Sequence, residues 1–127
     1  MKIKSLGHLV LTVRDIQKTC EFYHQILGME VIVFGENRTA LKFGNQKINL
    51  HQLEPKIEPR ANEPTPGSAD LCLITKIPIE QVMKHFYANN ISIVLGPVER
   101  TGAVGKIESI YIRDPDLNIL EIANYQD

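Results

Sequence analysis

Two stretches of the chain follow one pattern, and that duplication limits the possible folds more than any other feature of its 127 residues. They are "HLVLTVRDIQKTCEFYHQILGMEVIVFG" (8–35) and "DLCLITKIPIEQVMKHFYANNISIVLG" (70–96). Each opens with a strand, turns through polar residues into an amphipathic helix, and leaves it for a short aliphatic strand ending at glycine. In the first copy Asp15 suits an N-cap, with Ile16, Cys20, Tyr23 and Leu27 at helical spacing and Gly28 as the stop. In the second, Pro78 suits the first turn, Val82, Met83, Phe86 and Tyr87 form the apolar stripe, and Asn89 and Asn90 end it.

Each copy then continues as strand, tight turn, strand: "ALKFGNQKINLHQ" (40–52) and "IYIRDPDLNILEI" (110–122). The expected fold is therefore α+β, with two tandem βαβββ modules forming a curved mixed sheet with helices outside. Module one spans about 4–53 and module two about 68–124, in a single domain. Between them, "EPKIEPRANEPTPGS" (54–68) holds four of the seven prolines and reads as an extended linker.

Strand side chains alternate between faces. In the first strand Leu9, Leu11 and Val13 belong against the helix, which turns His8 to the inner face. The same alternation turns Asn49 and His51, Asp70 and Cys72, and Ile119, Glu121 and Ala123 inward. The repeat sets His8 against Asp70 at the start of a module, and His51 against Glu121 near its end. Imidazole nitrogens and carboxylate oxygens are ligands for Zn²⁺, Ni²⁺, Fe²⁺ or Mn²⁺, so these four residues are the candidate metal donors. Glu121 and Asp70 are also the candidate catalytic bases. Plainer roles stand beside these: a hydrogen-bonded structural histidine, Asp70 capping a turn, and Glu121 paired with Arg113 or Lys106.

Composition excludes other classes. A net charge of −1 offers no basic footprint for nucleic acid. No apolar run approaches the roughly 20 residues that span a bilayer. The N-terminus runs into strand pattern without an h-region, so a cytoplasmic location is expected. Cys20 and Cys72 are expected as small buried hydrophobes, and His24 and His85 as solvent-facing helix residues.

The segment "GPVERTGAVGKIESIYIRD" (96–114) is expected as a substrate loop, or more plainly as a flexible hairpin with solvated charges. Its glycines give mobility, Arg100 and Lys106 give positive charge, Thr101 gives a donor, and Tyr111 a cleft wall. Arg38 and Asn37 occupy the corresponding loop of the first copy.

The segments "LGHLVLTVRDI", "FYHQILGMEV", "GSADLCLIT" and "GPVERTGAVGKIESIYIRDPDLNILEI" together resemble the vicinal oxygen chelate superfamily. That superfamily includes glyoxalase I, extradiol dioxygenases, fosfomycin resistance proteins and bleomycin-binding proteins. Within it, "NLH", "GSADLCLIT" and "RTGA" look closest to the branch of glyoxalase-domain-containing protein 5 and the bacterial virulence proteins. The resemblance implies paired βαβββ modules and a divalent metal at the positions of His8, His51, Asp70 and Glu121. It implies an enzyme acting on a small oxygenated, anionic substrate, by glyoxalase-like lyase or isomerase chemistry through a metal-chelated enolate. The alternatives are an extradiol-type dioxygenase using Fe²⁺ and O₂, and a non-catalytic drug-binding protein. A homodimer with sites shared between chains is a further implication. The chain departs from the family at Asp70 and His51, where histidine or a longer acid and a carboxylate are usual. It departs again at Leu117, where the related turn carries glycine.

Overall fold

The computed structural model describes residues 1–126. Its elements run β1 (His8–Val13), α1 (Ile16–Gln25), β2 (Glu30–Phe34), β3 (Arg38–Phe43), β4 (Gln46–Gln52), β5 (Asp70–Ile74), α2 (Ile79–Ala88), β6 (Leu95–Gly102), β7 (Gly105–Arg113) and β8 (Ile119–Tyr125). This is βαβββ twice. The chain divides into two units at Gly67/Ser68, and residues 54–68 hold neither helix nor strand.

Unit one is a four-stranded sheet in the order β1-β4-β3-β2, with β1 parallel to β4 and the other pairs antiparallel. The alternation in β1 follows the expected faces: Leu11 and Val13 are buried, whereas His8 and Val10 are exposed. α1 packs on β2, β3 and β4, and Tyr23 joins Leu41, Ile48 and Leu50 in the core. Each such side chain contributes about 1.5–3 kcal/mol on burial. Asp15 caps α1 by accepting from the Lys18 amide at 3.1 Å, and Gly28 takes φ +69 after the helix. Gln52, at the end of β4, accepts from the Ile16 amide at 3.1 Å and so fastens the helix start to the sheet.

Unit two repeats the topology as β5-β8-β7-β6, with β5 parallel to β8. Ile79, Val82 and Phe86 of α2 are buried with Ile110, Ile112, Leu120 and Ile122. Pro78 is the N-cap and supplies no side-chain bond. Asn124 of β8 accepts from the Ile79 amide instead, at 2.9 Å, and donates to the Thr75 and Ile77 carbonyls. Gln52 and Asn124 thus perform the same task in the two units. Tyr87 leaves the expected stripe and is 60% exposed. Among the described residues no helix is long and apolar enough to cross a membrane.

The two units differ after the helix. The expected aliphatic strand of 91–96 is not formed: residues 91–94 carry no strand, and β6 begins at Leu95 and runs on to Gly102. Gly96 explains the shift. It takes φ +110, and a Cβ there would stand 2.5 Å from the Ser109 carbonyl oxygen, so β6 lies closer to β7 than a side chain allows. The ladder slips between Leu95 and Val98 and then pairs regularly to Gly102. Of the two readings of this segment, substrate loop or hairpin, the backbone takes the β6–β7 hairpin. Leu117 adopts φ +71, the backbone that glycine takes most readily, and remains exposed.

Candidate functional site

The inner face of unit one is built from alternate residues of four strands. Register places Phe34, Arg38, His51 and Thr12 in one row, and Ile32, Ala40, Asn49 and Val10 in the next. His8 is exposed and stands opposite Lys47. His8 and His51 therefore lie four residues apart along parallel strands, about 13 Å of rise. His51 is 7% exposed, and Arg38 Nη2 donates to its Nε2 at 3.4 Å. Burial first, then the positive charges of Arg38 and His8, hold the His51 imidazole below its ordinary value. A neutral His51 with its remaining proton on Nδ1 is what the bond from Arg38 requires.

The register corrects one equivalence read from the repeat. Val10 pairs with Asn49, and its counterpart Cys72 pairs with Glu121. The counterpart of Glu121 is therefore Asn49, and His51 corresponds to Ala123 on the same face. Aligning "INL" (48–50) with "LEI" (120–122) carries that signal in the sequence. Asn49 is 4% exposed, and its Oδ1 has no hydrogen-bond partner. A buried acceptor left open is costly, so its position favours a cation or a donor from outside the protein.

Unit two carries a pocket of about 410 Å³ lined by Cys72, Ile74, Arg100, Thr101, Gly102, Ala103, Ile107, Glu121 and Tyr125. Glu121 is half-buried on β8, and Ser109 Oγ donates to its Oε2 at 2.5 Å. Ser109 is fully buried, so this bond fixes the carboxylate from behind. Neither Arg113 nor Lys106 is the partner considered for Glu121: Arg113 donates to the Leu117 carbonyl, and Lys106 lies 3.9 Å from Glu99 in an exposed pair. Arg100 Nε donates to the Tyr111 hydroxyl at 3.0 Å, with its guanidinium 5.7 Å from that ring. Of the expected substrate residues, Arg100 and Thr101 line the pocket, Tyr111 orients Arg100, and Lys106 is outside the lining. Arg38 belongs to unit one, beside His51.

Cys72 corrects another expectation, since it is exposed and lines the pocket, while Cys20 is half-buried. Local desolvation first, then the Glu121 and Asp70 carboxylates, push the Cys72 thiol above its ordinary value of 9.0. The accessible sulfur is thus protonated at neutral pH, and the thiolate forms only at more alkaline pH. Alkylation of Cys72 by iodoacetamide is expected to keep rising beyond pH 9, and Glu121→Gln to move that midpoint down. A midpoint at or below the ordinary thiol value in the parent protein would contradict this environment. Ser109 and Tyr125 were not singled out by sequence reasoning, and Asn49 and Cys72 were placed on the inner face without a role in the site. Strand alternation alone cannot say which inner-face side chain is bonded or turned into a pocket.

The chemistry of the donors fits a divalent cation in kind. His8 is an imidazole donor, Asp70 and Glu121 are oxygen donors with Glu121 already oriented, and His51 could donate only through Nε2, in exchange for its bond from Arg38. Among the described residues no three His, Cys, Asp or Glu side chains converge as a cation-holding group.

Comparison with known proteins agrees with the fold. The sequence matches the family model of the glyoxalase/bleomycin resistance protein/dioxygenase superfamily over residues 5–122. It is 58% identical over 125 residues to virulence protein STM3117 of Salmonella typhimurium, covering 98% of this chain and 87% of that protein. The crystal structure of that relative superposes with a TM-score of 0.97 over 99% of this chain and 100% of the other. Glyoxalase domain-containing protein RDO1 of Mycosarcoma maydis is 52% identical over 127 residues, 100% of this chain and 72% of its own length. A crystal structure of lactoylglutathione lyase from Agrobacterium tumefaciens, 22% identical, shares the fold at a TM-score of 0.73, covering 98% of this chain and 96% of that one. With two βαβββ units and a family match over nearly its whole length, the chain belongs to the glyoxalase/bleomycin resistance protein/dioxygenase superfamily.

Proposed function

We propose that the protein is a divalent-metal-dependent enzyme acting on a small, oxygenated, anionic substrate by glyoxalase-like lyase or isomerase chemistry. The observation that carries the reading is the unit-two pocket, where an oriented carboxylate, Glu121, and a cation, Arg100, line one cavity of about 410 Å³. A volume of that order suits a small molecule. The proposed donors to the ion are drawn from His8, His51, Asp70 and Glu121. A bound divalent ion supplies electrophilic polarisation of adjacent substrate oxygens. The chain's own residues do the rest. Glu121, with Oε2 held by Ser109, presents Oε1 as ligand or as base for a proton on carbon. Arg100, braced by Tyr111, neutralises the substrate's negative charge, and Thr101 donates beside it. The protein is further proposed to work as a homodimer, which sedimentation would test.

The test is metal analysis of protein purified without chelators, followed by titration of the apoprotein. About one divalent ion per chain is expected, with His8→Ala and Glu121→Ala each weakening affinity by roughly 100-fold. Turnover of a methylglyoxal–thiol adduct is expected to fall with it. A stoichiometric ion accompanied by O₂ uptake on catechols would favour the dioxygenase reading instead. If no ion is retained, and a His8→Ala/Glu121→Ala variant behaves as the parent, the enzyme reading fails and a small-molecule binding protein remains.

A further inference from the structure

The outer edge of the unit-one sheet is not used by the proposed reaction. β2 pairs with β3 alone, so its other side presents unpaired backbone N–H and C=O groups. Its ladder to β3 is regular from Glu30 to Phe34, and the strand, EVIVF, contains neither proline nor lysine. Val31 and Val33 share the face of Leu41, Ile48 and Leu50 but are 39% and 70% exposed. The equivalent edge of unit two, β6, is protected: Pro97, the slip in its ladder, Glu99 and Arg100 all discourage another strand. β2 has one charge, Glu30, and no other such device.

Glu30 and Phe34 lie on the opposite, inner face, at the two ends of the strand. Glu30 makes no ion pair among the described residues, although Lys42 stands opposite it on β3. At the other end two cations converge on the Phe34 ring. The Arg38 guanidinium carbon lies 5.3 Å from its centroid and Lys47 Nζ 4.0 Å. Neither is ion-paired with a carboxylate among the described residues. One strand thus carries an unmatched carboxylate at its start and unmatched cations at its end, on the same face.

Run antiparallel, such a strand is complementary to itself. We propose that β2 is a self-association edge, pairing with β2 of a second copy about a two-fold axis at Ile32. That register engages all five residues: Glu30 meets Phe34 of the second copy, and Val31 meets Val33, each twice. Each Glu30 carboxylate then lies beside the ring that the other copy's cations approach, and the valines cover one another on the helix face. An axis at Val33 would set Glu30 opposite Glu36, and one at Val31 would run Phe34 past the strand to Gly28. α1 packs over β2, β3 and β4, so the two α1 helices stand about three strand spacings apart, roughly 14 Å. Packed helices need only about 8–10 Å, so nothing collides. A five-residue ladder is smaller than the roughly 1,200 Å² of a stable interface, which makes the association weak and concentration-dependent. The proposal rests on the homodimer reading and names its surface; it needs neither a bound ion nor the unit-two pocket.

Sedimentation equilibrium of the full chain is expected to give a Kd on the order of 100 µM. Val33→Lys, at an exposed position, is expected to weaken it roughly tenfold. Glu30→Lys and Arg38→Glu are each expected to do about the same, because each sets like charges beside Phe34. An equimolar mixture of those two variants is expected to associate more tightly than either alone, since it pairs opposite charges again; a folding defect would not recover in this way. If Arg38→Glu fails to fold, Lys47→Glu takes its place in the mixture. Unchanged association in both Glu30→Lys and Val33→Lys, or a mixture no tighter than its components, would overturn this surface and leave the homodimer reading in place. A parent protein still monomeric at about 1 mM would overturn both.

Discussion

Replacing Gly96 with alanine is expected to destabilise the protein by about 3 kcal/mol or more and to disturb the Glu121 carboxylate as well. Two costs add. At φ +110 an L side chain is strained, and the new Cβ would lie 2.5 Å from the Ser109 carbonyl oxygen and 3.0 Å from Ile110 Cα. Both contacts are with backbone, so relief requires β6 and β7 to separate. Ser109 carries the hydroxyl that holds Glu121, so separation also loosens the pocket wall. Gly105→Ala is the comparison: it has φ +146 but nothing within 4 Å of the added carbon. Only the backbone term applies there, and the loss is expected nearer 1 kcal/mol. Urea unfolding of the two variants measures the difference, and equal losses would remove the close-approach argument. A Gly96→Ala variant that alkylated Cys72 at the parent's rate would remove the link to the pocket.

Asp114→Ala is expected to cost roughly 3–5 kcal/mol and lower the melting temperature by about 10–15 °C. The carboxylate is 3% exposed and organises the turn between β7 and β8. Its Oδ1 accepts from the Asp116 and Asn118 amides at 2.9 and 3.0 Å, and its Oδ2 accepts from Asn118 Nδ2 at 2.8 Å. Alanine leaves those three buried donors open, which is costlier than losing the bonds themselves. The damage reaches the site because Asn118 Oδ1 in turn accepts from the Ala69 amide at 2.8 Å, setting the start of β5 beside Asp70 and Cys72. Asp114→Asn keeps one acceptor and is expected to fall between the parent and the alanine variant. Calorimetric melting of the three proteins checks the order, and an alanine variant within 1 kcal/mol of the parent would contradict it.

Much of the architecture was legible because it rests on local chemistry. Asp15 caps α1 and Gly28 ends it as their residue types require, and the βαβββ order follows from the repeated pattern. The aliphatic row of β1 is buried, and His8 lies on the opposite face, as period-two alternation dictates. The site was legible in residue type but not in arrangement. Cys72 reads as apolar in composition, yet its place on β5 exposes it to the pocket. His51 reads as the counterpart of Glu121 by rough position in the strand, yet the ladder assigns that place to Asn49.

The sequence by itself determined the duplicated module, the alternation that turns polar side chains of each module away from its helix, and the caps that bound the helices. Those depend on neighbours a few residues away, whose spacing is written along the chain. Only the tertiary structure decided the strand register, the choice of the β6–β7 hairpin for residues 96–114, and the partners of each polar side chain. Ser109 behind Glu121, Tyr111 on Arg100 and Arg38 on His51 are contacts 11 to 13 residues apart, made across strand ladders. A one- or two-residue slip in such a ladder changes every partner while leaving composition and hydrophobic pattern almost untouched.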